Sequence, residues 1–340
     1  MRGYQGMDVS VIIPTRDRAQ LLDRCLRSLA TLDRAPTEIL VIDNGSTDST
    51  TEVVASHRAR GGDLLRLHHE PIPGLLSGRH RGVKEASGDI LVFIDDDVEP
   101  DRSWMSAIGE AFADEGTSLV CGPSRARFEI DPPGWWDPFW VHDENGSRCE
   151  WLSLLDLGRH PRRVDPSFVW GLNFAIRRTT LEALGGFHPD NMPATLERFQ
   201  GDGETGLTRK AKASGAVAVY HPEAMVVHVI TADRLDVSYL LRRVRYQGIC
   251  DSFTAVRAGG RPWWSATAWT MLRSSLTRMM RRGRSASDMA RAVSKAYVEG
   301  YLYHQREVRR DPRLLEWVSR PTYWNYTLPA WEGDQPDAPS

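Results

Sequence analysis

Residues 89–100 read Asp89-Ile90-Leu91-Val92-Phe93-Ile94-Asp95-Asp96-Asp97-Val98-Glu99-Pro100. Five consecutive apolar residues, branched or aromatic, run straight into three carboxylates. Such a run predicts a buried strand whose C-terminal end opens into a polar crevice. In open α/β sheets, ligands sit at that end. Side chains alternate along a strand, so Asp95 and Asp97 share a face and Asp96 points away. Adjacent carboxylates tolerate one another best when exposed or when a cation lies between them. Few, hard oxygen ligands suit Mg2+ or Mn2+ carrying substrate phosphates. A solvated acidic turn after a strand gives the same local pattern.

Working outward, the same grammar repeats. Residues 9–13 are an apolar run ending in Pro14-Thr15-Arg16-Asp17, and Leu21, Leu22, Cys25, Leu26 and Leu29 then recur at helical spacing. Residues 38–42 form a second apolar run ending at Asp43, followed by turn and N-cap residues and a helix to about residue 60. A short third strand at 64–68 and a helix over 75–86 carrying Arg79, Arg81 and Lys84 lead into the central run. A further helix at 104–112 and a strand at 119–121 follow. This alternation predicts an α/β fold with a mostly parallel sheet flanked by helices. Right-handed connections bring Thr15 and Arg16, Asp43 and the aspartates to one sheet edge. There, Arg79 or Arg81 can neutralise a phosphate-bearing ligand, and Asp43 can accept from a base N–H; a plain turn aspartate and a solvated helix arginine are the alternatives. Neither Gly-x-Gly-x-x-Gly nor the P-loop pattern follows the first strand.

The chain has 340 residues, 41% hydrophobic and 26% charged, with a formal net charge of −2. That balance gives no general pull toward nucleic acid. The four cysteines show no metal-ligand spacing and read as reduced thiols of a cytoplasmic protein. The N-terminus has no apolar signal region, and no run is long enough to span a bilayer.

Four motifs follow in order: Val-Ser-Val-Ile-Ile-Pro-Thr-Arg-Asp-Arg, Val-Ile-Asp-Asn-Gly-Ser-Thr-Asp-Ser-Thr, Gly-Arg-His-Arg-Gly and Gly-Asp-Ile-Leu-Val-Phe-Ile-Asp-Asp-Asp. Together they resemble the family 2 glycosyltransferases of GT-A fold, over roughly residues 8–235. The resemblance implies a nucleotide-sugar donor, UDP-sugar by default, a Mg2+ or Mn2+ cofactor, and a glycan, lipid-linked saccharide or small natural product as acceptor. It implies that Pro14, Thr15, Arg16 and Asp43 hold base and ribose, and that Arg79 sits beside base or diphosphate. Asp95 and Asp96 count among the nucleotide contacts. Asp97, with Asp95 and His228, counts among the metal ligands, His228 being otherwise a packed strand-end histidine. His80 stands where the family usually has Asn. Trp170-Gly171-Leu172-Asn173 resembles the donor-sugar and acceptor segment. Glu204 aligns with the catalytic acid and Asp202 is its rival; helix capping is the alternative role for both. The implied reaction is a single displacement with inversion. A nucleotidyltransferase and a catalytically silent nucleotide-sugar binding module are the competing readings.

The implied organisation is a catalytic domain over 1–235, with a nucleotide half to about 125 and an acceptor half from 126, then a helical region over 236–320 and an extended tail over 321–340. Trp135 and Trp136 lie in an aromatic loop that reads either as acceptor wall or as core patch. The apolar stretch 262–280 and the arginines after it suit peripheral contact with the inner face of a membrane, or packing on the catalytic domain with the arginines in water. The processive-synthase motif Gln-x-x-Arg-Trp is missing.

Overall fold

The apolar run at 90–94 is a central strand of an eight-stranded sheet. The structure, a computed structural model, describes residues 7–61, 64–259 and 284–328. β1 (Val9–Thr15), α1 (Ala19–Leu29), β2 (Glu38–Asp43), α2 (Thr50–Gly61), β3 (Leu65–His69), α3 (Leu75–Glu85) and β4 (Ile90–Ile94) alternate as the sequence predicts. β5 (Val98–Pro100), α4 (Trp104–Phe112), β6 (Thr117–Cys121) and β7 (Ser124–Phe128) follow. Then come β8 (Val141–Asp143), β9 (Gly146–Cys149), β10 (Leu154–Asp156), β11 (Arg162–Val164) and β12 (Asn173–Arg177). The chain continues through α5 (Arg178–Ala183), α6 (Gly203–Ala213), β13 (Val217–Tyr220) and β14 (Val226–Ile230) to α7 (Val237–Arg257), α8 (Arg284–Arg310) and α9 (Pro312–Ser319).

The large sheet has the order β11-β13-β6-β12-β4-β1-β2-β3. β1 lies between β2 and β4, parallel to both, with Thr15 level with Asp43. The C-terminal ends of these strands therefore meet at one edge. β12 runs antiparallel to β4 with Asn173 opposite Ile94, which delivers residues 170–172 to the same edge. A second sheet, β5-β14-β7-β10-β9-β8, pairs β14 antiparallel to β5 with His228 opposite Val98.

Alternation along the strands divides the core in two. Val11, Ile13, Val41, Val92 and Ile94 pack with apolar residues of α1 and α4, whereas Ile12, Leu40, Leu91 and Phe93 pack with Leu76 and Val83 of α3. α3 lies so close to β1 that a Cβ on Gly82 would overlap Ile12.

A third core gathers Trp136, Phe139 and Leu152 with Leu240, Val244, Val293 and Tyr297 of α7 and α8. Trp136 is 1% exposed and its Nε1 donates to the Leu235 carbonyl at 3.2 Å, with Trp135 stacked on it at 4.7 Å between ring centroids. The acceptor-wall role expected of Trp136 is corrected to core packing: its ring has no free face to offer.

Among the described residues, no helix is long and apolar enough to cross a membrane. The stretch 262–280 and the arginines at 281 and 282 lie outside the described residues.

Candidate active site

The three aspartates diverge. Asp95 keeps 37% of its side chain exposed at the sheet edge, against 5% for Asp96 and 1% for Asp97. Asp96 accepts from Thr15 Oγ1 at 2.7 Å and from Arg18 Nη1 at 3.0 Å. Burial pushes its carboxyl up to about 6, against the pull of Arg18. Asp96 thus braces β4 against Thr15 and Arg18. Asp97 faces the second sheet. Its Oδ2 accepts from Arg18 at 2.9 Å and from Arg234 Nη2, in the turn after β14. Its Oδ1 is buried without a hydrogen-bond partner, 3.5 Å from His228 Nε2. His228 donates through Nδ1 to the Leu152 carbonyl at 3.0 Å, and Arg234 Nη1 donates to Nε2 at 2.6 Å. Nε2 therefore carries a lone pair, and two acceptors face each other across a gap that suits a cation. Burial opposes ionisation of Asp97, but the guanidinium groups of Arg234 and Arg18 outweigh it and hold the carboxyl well below the usual range.

Across the edge, Arg79 of α3 is 2% exposed. Its Nη1 donates to Glu204 Oε2 at 3.2 Å, its Nη2 lies 4.0 Å from Asp95 Oδ1, and its guanidinium sits over the Phe187 ring at 5.0 Å. Glu204 is in the first turn of α6 and its Oε1 accepts from the Gly171 N–H at 3.4 Å. A Cβ on Gly171 would overlap Arg79 Nη2, so only glycine permits this approach. Burial opposes ionisation of Glu204, but Arg79 outweighs it and holds the carboxyl below the usual range. Asp190 is the opposite case. Burial and the neighbouring Glu204 push it up to about 6, although its Oδ1 accepts from Asn191 N–H at 2.8 Å and Gln200 Nε2 at 3.0 Å.

The remaining expected residues divide. Pro14 backs α3 at Gly78. Arg16 is half-exposed beside Asp17, and Asp43 is buried with Oδ1 accepting from Ser46 N–H at 2.9 Å. Trp170 is half-buried and donates to the Ser167 carbonyl. Two of the expected residues are engaged by protein partners. Asp202, the rival base, is the N-cap residue of α6, and its oxygens accept from His188 Nδ1 at 2.5 Å and Thr254 Oγ1 at 2.7 Å. Asn173 is 5% exposed and is held at both ends, by Trp104 Nε1 at 3.0 Å and the Ala224 carbonyl at 2.8 Å. Sequence reasoning missed Arg18, Asp190 and Arg234. Arg18 closes the first motif and was within reach; Arg234 lies beyond the strand motifs in a short turn with no signal of its own.

Residues 10–185 match the family described as Glycosyl transferase family 2. The chain belongs to this family. It is 28% identical over 233 residues to the pre-mycofactocin glycosyltransferase of Mycobacterium tuberculosis, covering 66% of this chain and 43% of that protein. It is 34% identical over 211 residues to the validoxylamine A glucosyltransferase of Streptomyces hygroscopicus subsp. limoneus, covering 54% of this chain and 44% of the relative. The chain thus spans less than half the length of these two curated relatives. Among solved structures, the mannosyltransferase PcManGT from Pyrobaculum calidifontis, in complex with GDP-Man and Mn2+, superposes with a TM-score of 0.53 at 20% identity, over 92% of this chain and 86% of that one. GalNAc-T7 with UDP, GalNAc and Mn2+ gives 0.51 at 18% identity, over 90% and 57%. The family 2 chain has the GT-A fold, a parallel-rich sheet whose strand tips carry the site.

Proposed function

We propose that this chain moves a sugar from a nucleotide-sugar donor, UDP-sugar first, to a hydroxyl of a glycan, lipid-linked saccharide or small natural product, with inversion at the anomeric carbon. The observation that carries the reading is Glu204: a carboxylate held ionised by Arg79, one guanidinium away from Asp95 at the strand tip. Asp95, Asp43, Pro14, Thr15 and Arg16 line the edge where base and ribose would bind. The names of the family relatives, glycosyltransferases and glucosyltransferases, support the same reading.

A divalent cation, Mg2+ or Mn2+, fits the unpartnered Asp97 Oδ1 and the Nε2 lone pair of His228. Among the described residues, no three His, Cys, Asp or Glu side chains converge as a complete ligand set, so donor phosphate oxygens would supply the rest. When bound, such a cation stabilises charge on the departing diphosphate. Glu204 would accept the proton of the acceptor hydroxyl as its oxygen bonds to the anomeric carbon and the bond to the diphosphate breaks. Arg79 keeps Glu204 deprotonated and oriented, and Gly171 leaves room for both. His228 would be fixed as a ligand by its Nδ1–H bond to Leu152.

Glu204→Gln tests the reading. Transfer is expected to fall about 10²–10⁴-fold, the range for losing a general base, while nucleotide-sugar binding measured by thermal shift with Mn2+ persists. Near-wild-type transfer would remove Glu204 from the role. Donor binding with no transfer or donor hydrolysis by wild type would favour the silent binding module.

A further inference from the structure

α3 has two working flanks. Arg79 reaches the strand tips, while Ser77, His80, Arg81 and Lys84, at helical spacing, line a separate cavity of about 910 Å³. Its far wall is the segment after α9. Tyr323 anchors that segment: it is fully buried, its hydroxyl donates to the Trp317 carbonyl at 2.6 Å, and its carbonyl accepts from His80 Nδ1 at 3.0 Å. Trp324 then stacks on His80, with ring centroids 4.2 Å apart, and Arg320 and Tyr326 complete the wall. The volume is that of a small-molecule site.

The chemistry of the walls is specific. Arg81 Nε is paired with Glu85 at 2.8 Å, and the Tyr326 hydroxyl bonds to Ser77, whose own hydroxyl donates to the Gly74 carbonyl. Charge is balanced: Glu70 and Glu182 stand among Arg81, Lys84 and Arg320, and Arg178 is occupied by the Val83, Ala86 and Gly88 carbonyls that end α3. Mixed charge does not select a polyanion. Aromatic rings beside both donors and carboxylates suit a neutral ring that stacks by its C–H face and bonds by its hydroxyls.

We infer that this cavity is a second carbohydrate site, separate from the strand-tip crevice, and takes pyranose units of an oligosaccharide. The inference does not depend on the transfer reaction. It is tested by retention on an array of immobilised hexose, hexosamine and uronate oligosaccharides, for wild type, Trp324→Ala, Glu182→Ala and Glu204→Gln, with melting temperatures recorded for each. Wild type is expected to bind at least one class. Binding should weaken roughly tenfold in Trp324→Ala and Glu182→Ala, the scale of one lost stacking or hydrogen-bond contact, and stay unchanged in Glu204→Gln. Glu182 is exposed, so its variant reads the site even if Trp324→Ala fails to fold. Retention on no oligosaccharide overturns the inference. So does retention that survives both cavity variants, or that is lost in Glu204→Gln, which would put the sugar in the acceptor site. Failed transfer with intact array binding counts against the enzyme reading alone.

Discussion

Arg234 stands where a cation is wanted. It bonds Asp97 Oδ2 and His228 Nε2 together, the two groups proposed to hold a divalent ion. A guanidinium and a metal would compete for the Nε2 lone pair of His228, so Arg234 would have to withdraw from it for the proposed cation to bind. Arg234→Ala should therefore tighten Mn2+ binding without donor, by about ten- to a hundredfold if a charge-assisted hydrogen bond is the barrier. Titration calorimetry measures this directly; unchanged or weaker affinity would show that Arg234 is no competitor. Asp190 gives a second residue-scale prediction. Its folded pKa is raised to about 6 by burial and Glu204, above the ordinary carboxyl value. The folded state binds this proton more tightly than the unfolded state, so stability falls as pH rises from about 4 through 6. Asp190→Asn should raise the melting temperature at pH 8 and change it little near pH 3, below the unfolded pKa. The sequence made Asp95, Asp97, Arg79 and Glu204 visible because each follows a strand or helix signal at family spacing. It could not show that Asp96 faces Thr15 and Arg18, since the same triplet describes a ligand and a brace.

At the scale of elements, the strand–helix alternation to β6 was legible because buried strands and amphipathic helices leave different periods in the chain. The segment before α6 was not. Gly201-Asp202-Gly203-Glu204 offers two acids two residues apart, and only the packing of α7 separates them. Asp202 is turned to His188 and Thr254, while Glu204 is turned to Arg79. Burial opposes ionisation of Asp202, but the His188 hydrogen bond outweighs it and holds the carboxyl below its usual value. Its stabilising contribution is present above the unfolded pKa of about 3.9 and is lost as pH falls through the lower folded value. Thr254→Val keeps shape and removes one donor from this buried carboxylate. It should cost about 1–3 kcal/mol in urea denaturation at pH 7, and clearly less once the pH falls through the lowered folded value and Asp202 protonates. A loss that does not shrink at low pH would assign the effect to packing rather than to the bond.

For the whole molecule, the boundary drawn at residue 235 follows the change from mixed to helical pattern, yet the core runs across it. Phe253 of α7, Trp317 and Val318 of α9 and Tyr323 share one cluster with Ile12, Phe93 and Phe187. Polar bonds follow the same route: Trp317 Nε1 donates to the Phe199 carbonyl at 3.0 Å, and Arg257 Nη1 to the carbonyls of Val318 at 2.5 Å and Arg320 at 2.7 Å. Residues 199–204, which present Glu204, are thus walled by helices that come later in the chain. Periodicity reports which face of a helix is apolar, not which distant segment covers it, so this dependence could not be read beforehand. A chain ending at residue 235 would leave Phe199 and the third core open to water. Fully exposing even a few such aromatic side chains removes about 1.5–3 kcal/mol each, a large part of the 5–15 kcal/mol that keeps a domain folded. The truncated chain should be recovered as aggregate or show no cooperative melting transition. A soluble fragment melting cooperatively and still binding nucleotide sugar would establish instead that the strand-tip crevice stands without the helices.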